Sequence, residues 1–472
     1  MKMVPPERTV TTPTQAVVRR KEVDLRLVPL AFLALIIVGT ALLMLPWTHR
    51  SGHSLRWLDA FFLSTSATCV TGLATVNVAE TFNGFGQAVL LALIQLGGLG
   101  IFTASISIVL LSGQRLSLSD EHTIRATVGR LRQVRPFDVF IYACLFVLVF
   151  ELAGTVALFA QMAERGKGES AWQTLWEAAF HSVSAFCNAG ISIYPEGLVR
   201  WRQHPGLLAV IEILVIAGGI GLMTLINLRY FYFWRRDPRR RGYLTLQTKL
   251  SLFMAALLLV LGTLMTLAFE HDHTLASASA GDRLSWSFFH STVSRTAGFN
   301  VVDLGEMNPP TLLGTALLMF IGGSTGSMAG GIKTITLAVL VLTAWSALRR
   351  KENIQVFGRR ISPALSNMAV MLVLLASAVL MLGIGLLMFT EHHGPALQTS
   401  QNWLGLIFEA VSAFGTVGVS TGVTPLLTEL GKLIIIALMF TGRVAPLVLA
   451  IYLARPSYPW HVRWPREEVG LG

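Results

Sequence analysis

Residues 412–418 read SAFGTVG, and the same cadence occurs three times upstream: SATCVTG at 66–72, SAFCNAG at 184–190 and TVSRTAG at 292–298. Each string ends in glycine, carries Ser or Thr six places before it (Ser66, Ser184, Thr292, Ser412) and Ala or Val five places before it. A short apolar stretch precedes every copy, and long hydrophobic runs flank it on both sides. A period of roughly 110 to 120 residues is too long for a solenoid unit. It suits a span, a re-entrant hairpin and a second span, repeated four times.

Composition fixes the solvent of such a chain. Of its 472 residues 53% are apolar and 13% charged, and runs such as 27–45, 88–111 and 370–389 are long enough to cross about 30 Å of hydrocarbon. The chain therefore reads as an all-α polytopic membrane protein. A net charge of +11 raises the question of nucleic acid, but the basic residues gather in short loops on alternate sides of the spans. Arg19, Arg20, Lys21 and Arg26 precede the first span, and Arg115, Arg125, Arg130, Arg132 and Arg135 follow the second. Arg235, Arg236, Arg239, Arg240 and Arg241 follow the fourth, and Arg349, Arg350, Lys351, Arg359 and Arg360 the sixth. The positive-inside rule makes these loops and both termini cytoplasmic, with lipid and no nucleic acid as the surroundings. The first apolar run is not followed by a small-residue cleavage site, so it reads as a retained helix. Cys69, Cys144 and Cys187 make neither a disulfide framework nor a zinc pattern.

The chain divides into a cytoplasmic segment 1–26, repeats at 27–111, 136–234, 248–347 and 364–454, and a cytoplasmic tail 455–472. First helices are expected near 27–46, 136–161, 248–269 and 364–389. Pore helices follow near 57–68, 172–186, 283–294 and 402–414. Second helices close each repeat near 86–111, 206–234, 311–347 and 431–454. Trp47, Trp57, Trp172, Trp176, Trp201, Trp286 and Trp403 fall on the outer side as an aromatic belt. The pore helices are too short to cross, and the polar, glycine-rich residues after them are tolerated at membrane depth only where protein or a water-filled cavity receives their polar groups. Four helix C-termini directed at one axis favour a cation.

A dehydrated cation needs a ring of oxygens, which extended backbone supplies where one residue adopts a conformation closed to side-chained residues. Gly72, Gly190, Gly298 and Gly418 are those residues. Val70, Thr71, Asn188, Ala189, Thr296, Ala297, Thr416 and Val417 complete the candidate filter. A second string, GGSTGSMAGGIKT, occupies Gly322 to Thr334 within the second helix of the third repeat. Each interior glycine costs a helix about 1 kcal/mol, so this span breaks. Irregular backbone is admitted where it lines a cavity, which makes Gly322, Gly323, Ser324, Thr325, Gly326, Ser327, Ala329, Gly330, Gly331 and Lys333 a candidate gate on the cytoplasmic side of the filter. The string is not a P-loop, because Ile332 separates Gly331 from Lys333. Arg443, inside the last span, is too costly to face lipid and is read as an electrostatic barrier below the filter. Arg295 would repel a cation if it faced the ring, so it is expected to point behind the filter toward Glu177, Glu409 or Asp303. Glu151 and Glu212 stand inside or near spans as structural partners or as proton or sodium sites.

The strings SATCVTGL, SAFCNAGIS, SRTAGFN and SAFGTVGVSTG, with GGSTGSMAGGIKT, resemble the signatures of the Trk/Ktr/HKT superfamily of potassium transporters over essentially the whole chain. With one span before the first filter glycine, the Ktr-type membrane subunit is the nearest likeness. The resemblance implies potassium as the transported ion, preferred over sodium where all four positions are glycine. It implies a gate at the intramembrane loop and a homodimer on a cytosolic ring of nucleotide-binding regulatory subunits. No constellation of nucleophile, base and orienter is visible, so an enzyme is not expected. The reading is a pore-forming subunit of a potassium uptake system in the cell membrane. The alternative is a secondary transporter coupled to sodium or protons, which predicts inverted repeats, whereas these all run in one orientation.

Overall fold

The computed structural model describes residues 27–52, 54–111, 136–164, 170–234, 244–351, 353–400 and 403–454. The segment 1–26, the tail 455–472 and the basic stretches at 115–135 and 235–241 lie outside the described residues.

Four helical repeats follow one another. The first holds α1 (Leu27–Leu43), the pore helix α2 (Trp57–Thr68) and α3 (Gly84–Leu111). The second holds α4 (Pro136–Ala163), the pore helix α5 (Ala171–Phe186), α6 (Pro205–Ile220) and α7 (Leu222–Trp234). In the third are α8 (Leu246–Glu270), the pore helix α9 (Ala280–Val293), α10 (Pro309–Phe320) and α11 (Thr334–Leu348). A hairpin of β1 (Gln355–Val356) and β2 (Arg359–Arg360) leads to the fourth, with α12 (Pro363–Glu391), the pore helix α13 (Trp403–Gly415) and α14 (Glu429–Ala454).

Local chemistry sets the helix starts. Pro205, Pro309 and Pro363 open α6, α10 and α12, where a missing N–H removes no helical bond. Ser170 and Ser279 cap the pore helices α5 and α9, accepting from the Gln173 and Asp282 amides at 3.2 Å. At the C-terminal ends of α8 and α12 the buried carboxylates Glu270 and Glu391 reach the N-termini of α10 and α14. Glu270 accepts from the Asn308 amide at 2.9 Å, and Glu391 from the Thr428 amide at 3.0 Å.

First helices turn apolar surface outward. Ile37 and Val38 on α1, Val156 on α4, Leu264 on α8 and Leu374, Leu382 and Phe389 on α12 are exposed, as lipid-facing residues are. On their inner sides each repeat uses the same joint. Gly39, Gly154, Gly262 and Gly383 leave room for Leu93, Leu214, Leu318 and Leu438 of the second helices. In three repeats a pore-helix serine also binds a first-helix carbonyl: Ser64 donates to Ile36, Ser182 to Glu151 and Ser291 to Leu259, at 2.8, 2.7 and 2.8 Å. The fourth repeat has Ala410 at that position and packs without the bond. The circle closes between the first and last repeats, where Lys432 of α14 meets Asp59 of α2 at 2.7 Å and Arg56 pairs with Glu429.

Two expectations are corrected. The second helix of repeat 2 is not one continuous element from 206 to 234, because α6 and α7 meet at Gly221 with a bend of 99°. Trp201 and Trp286 are not belt residues: both are buried, and the Trp286 indole donates to the Arg202 carbonyl at 2.8 Å. Trp47, Trp57, Trp172 and Trp403 are exposed.

Candidate functional site

Each pore helix unwinds into a turn with the same pair of unusual dihedrals. Val70, Asn188, Thr296 and Thr416, two residues before the glycines, have φ of 55°, 60°, 105° and 49°. Gly72, Gly190, Gly298 and Gly418 follow with φ of 101°, 64°, 73° and 90°. Left-handed backbone at four side-chained residues costs on the order of 1 kcal/mol or more each, so the surroundings must hold it. Main-chain bonds do part of this: the Thr71, Ala189 and Val417 amides donate to the Ser66, Ser184 and Ser412 carbonyls at 2.7, 2.7 and 2.9 Å. The serine side chains add to it, since Ser66 and Ser412 Oγ accept the Gly72 and Gly418 amides at 3.0 and 3.1 Å. Ser184 Oγ instead donates to the Ile191 carbonyl at 2.8 Å.

The third turn is shorter by one residue. There the Ala297 and Gly298 amides both reach the Val293 carbonyl, at 2.9 and 3.2 Å. Val293 thus holds the place of Ser66, and Thr292 that of Thr65: each of these two threonines bonds the carbonyl four residues back. The sequence alignment of Thr292 with Ser66 is one step out of structural register.

The four turns meet. A Cβ built on Gly72 would fall on the Ala189 carbonyl oxygen and 3.2 Å from the Gly418 Cα. On Gly190 it would strike the Ala297 oxygen and come within 2.6 Å of the Gly298 Cα. On Gly298 it would strike the Val417 oxygen, 3.3 Å from the Gly190 Cα, and on Gly418 the Thr71 oxygen, 2.8 Å from the Gly72 Cα. Each glycine thereby backs onto the carbonyl that precedes the next glycine, and the sequence of contacts returns to its start. Val70, Thr71, Asn188, Ala189, Thr296, Ala297, Thr416 and Val417 are all buried around this ring. Asn188 and Thr296 lie 3.4 Å apart through their side chains.

Arg295 leaves the ring, but not toward an acid. Its Nη1 donates to the Ala255 carbonyl on α8 at 3.0 Å. The three carboxylates expected to receive it are engaged elsewhere. Glu177 accepts from the Tyr194 hydroxyl at 2.7 Å, Glu409 from Ser420, Thr421 and Thr424, and Asp303 from the Gly305 amide. Glu151 is buried behind the second turn, where Gln95 Nε2 donates to it at 3.2 Å and the Cys187 thiol lies 3.8 Å away. Glu212 is buried in α6.

Four residues past the leucines of the repeat joint stand Gly97, Gly218 and Gly442 within second helices and Gly322 just beyond the end of α10. On three of these a Cβ would overlap the carbonyl oxygen of a pore-helix end, at Thr68, Phe186 and Phe414. The next residues are Gly98, Gly219, Gly323 and Arg443, so one quadrant presents a guanidinium where three present no side chain. Here the segment after α10 crosses the assembly. Gly322 and Ile332 pair, the Gly322 amide donating to the Ile332 carbonyl at 2.8 Å. The loop between them reaches repeat 2, with the Ser324 and Met328 amides donating to the Gly219 and Gly218 carbonyls at 2.9 and 3.1 Å. Met328 Sδ comes within 3.5 Å of the Cβ position of Gly98 in repeat 1. Arg443 Nη1 of repeat 4 donates to the Met328 carbonyl at 2.5 Å, and Lys333 Nζ to the Ala329 carbonyl at 2.5 Å. The segment therefore touches all four quadrants just below the ring, with Gly330 against Thr416.

Sequence reasoning missed the device that makes room for this crossing. Gly221 has φ 90°, and a Cβ there would stand 2.9 and 3.1 Å from the Thr325 and Gly326 oxygens. The Leu222 amide, opening α7, donates to the Gly326 carbonyl at 3.2 Å. The Gly218, Gly219 and Gly221 cluster was the available signal.

A family model described as cation transport protein, TrkH, matches residues 20–458. The potassium/sodium uptake protein NtpJ of Enterococcus hirae is 34% identical, over 96% of this chain and 98% of its own. Ktr system potassium uptake protein B of Vibrio alginolyticus is 34% identical over 95% and 94%, and that of Bacillus subtilis 35% over 94% and 95%. Among solved structures, the potassium transporter TrkH from Vibrio parahaemolyticus superposes with a TM-score of 0.69 at 18% identity, covering 93% of this chain and 86% of that one.

Proposed function

This chain belongs to the TrkH family of cation transport proteins, and from that premise we propose that it is the pore-forming membrane subunit of a potassium uptake system. The observation that carries the reading is the closed circuit of four turns, in which the Thr71, Ala189, Ala297 and Val417 carbonyls each lie against the glycine of the preceding repeat, the first repeat following the fourth. Such a ring exchanges the ion's water for main-chain oxygens. Residues 70–72, 188–190, 296–298 and 416–418 form the filter, and potassium is its cargo. The segment Gly322 to Lys333, tied to Arg443, is the gate: it crosses beneath the filter at the depth where the ion must leave. A membrane potential supplies about 2.3 kcal/mol per charge per 100 mV, so uptake needs no hydrolysis by this chain.

Both termini and the basic loops face the cytoplasm. Exposed Arg349, Arg350, Lys351, Arg359 and Arg360 belong to that face. Two copies of the chain form a homodimer seated on a cytosolic ring of nucleotide-binding regulatory subunits. The names of the Ktr relatives, which place those proteins in an uptake system, support a partner component for this chain.

Reconstitution of the purified chain in liposomes tests the reading. Potassium flux should exceed sodium flux in the unmodified protein. Gly72→Ser, which pushes a side chain onto the Ala189 carbonyl, should narrow the ratio by about tenfold or more, the loss of roughly 1.4 kcal/mol of discrimination. Equal passage of both ions through the unmodified chain rejects the filter.

A further inference from the structure

A cavity of about 310 Å³ lies between the crossing segment, α11, α12 and α14. Ile335, Val339, Leu372, Val379 and Phe414 give it apolar walls. Among the described residues the charged ones that line it are Lys333 and Arg443; both are cationic, and no described carboxylate joins them. Each now donates to a main-chain carbonyl of the crossing segment, Ala329 and Met328. Arg443 is 3% exposed, and its Nε and Nη2 have no hydrogen-bond partner among the described residues. A buried cation so poorly compensated is costly, and an anion brought beside it relieves the cost. Size and lining fit a small-ligand site, which runs from about 300 to 1,000 Å³ with apolar walls and a few placed polar groups. Beside the cavity, α12 presents Leu374 and Leu382 to the bilayer, the source of acyl chains.

We propose that this cavity binds a fatty-acid-like amphiphile, its chain along α12 and its carboxylate paired with Lys333 and Arg443. Pairing draws both cations from the Met328 and Ala329 carbonyls and so loosens the crossing segment. The binding step stands on the cavity alone; its effect on flux rests on the gate assigned above.

The experiment photolabels the full chain in liposomes with a diazirine-bearing fatty acid, maps the label by mass spectrometry and measures potassium flux with and without laurate. Label should concentrate on α11, α12 and α14, be displaced by laurate and not by dodecanol, and fall about tenfold in Leu372→Trp. Laurate should raise flux in the unmodified chain and not in Leu372→Trp, whose basal flux and ion preference are unchanged. Ala376→Phe, filling the same space, should repeat the loss if Leu372→Trp fails to fold. Label spread evenly over the lipid-facing surface, or displaced equally by dodecanol, overturns the proposal. Spontaneous disulfide formation between Leu372→Cys chains gives the cavity to a second copy and also overturns it. Specific labelling without a change in flux overturns the link to the crossing segment. Loss of potassium preference without any fatty acid would count against the pore reading instead.

Discussion

Ser66 illustrates how single residues hold the ring. Its carbonyl takes the Thr71 amide and its hydroxyl the Gly72 amide, so one residue fixes both the strained Val70 and the glycine beyond it. Ser66→Ala removes one of these bonds at a fully buried site. A loss of about 1 kcal/mol is expected, read as a lower unfolding temperature, with ion preference reduced less than in Gly72→Ser. In the first and fourth repeats the six-residue spacing from serine to glycine reflects this local bond, whereas Ser184 turns its hydroxyl to the Ile191 carbonyl and Thr292 stands one step out of register. That spacing was legible; what became of Arg295 was not. Sequence shows that a ring built for a cation cannot have the Arg295 guanidinium facing it, but not that Glu177, Glu409 and Asp303 each find neutral donors on their own loops. The arginine then settles for the Ala255 carbonyl.

At the scale of elements, the broken span of repeat 3 was legible from its glycines, whereas in repeat 2 Gly218, Gly219 and Gly221 marked a weak point without showing the direction of the bend. Apolar residues continue across Gly221 from Ile220 into Leu222 and Met223, and hydropathy carries no information on direction. The bend exists because another element needs the space: Gly326 delivers a carbonyl to the first amide of α7. The two breaks are one contact seen from two helices. Arg443→Ala removes the side-chain tie of the crossing segment to repeat 4, and deletion of Ser324 to Ala329 removes its centre. Both should raise potassium flux in liposomes several-fold while leaving the preference over sodium in place, since neither touches the turns. Unchanged or abolished flux in both would remove the segment from the gating role.

Across the whole molecule, the fourfold plan was readable from four strings, because each repeat must build its own turn from local residues. How the last repeat closes on the first depends on partners 373 positions apart, Asp59 with Lys432 and Arg56 with Glu429, and no period in the sequence announces them. The Asp59 and Lys432 side chains are only 10% and 12% exposed, so Lys432→Met strands a nearly buried carboxylate. A cost on the order of 3 kcal/mol is expected, checked by thermal unfolding in detergent. Asp59→Asn with Lys432→Met should recover most of it. One feature of the plan bears on ancestry. Arg443 stands where its three counterparts are Gly98, Gly219 and Gly323, a solution denied to any assembly of four identical chains. There, a codon changed once is expressed at every corner, and four guanidinium groups would crowd one axis and repel each other. Tandem fusion lifts that restriction, letting a single corner mutate into a latch while the remaining three stay bare.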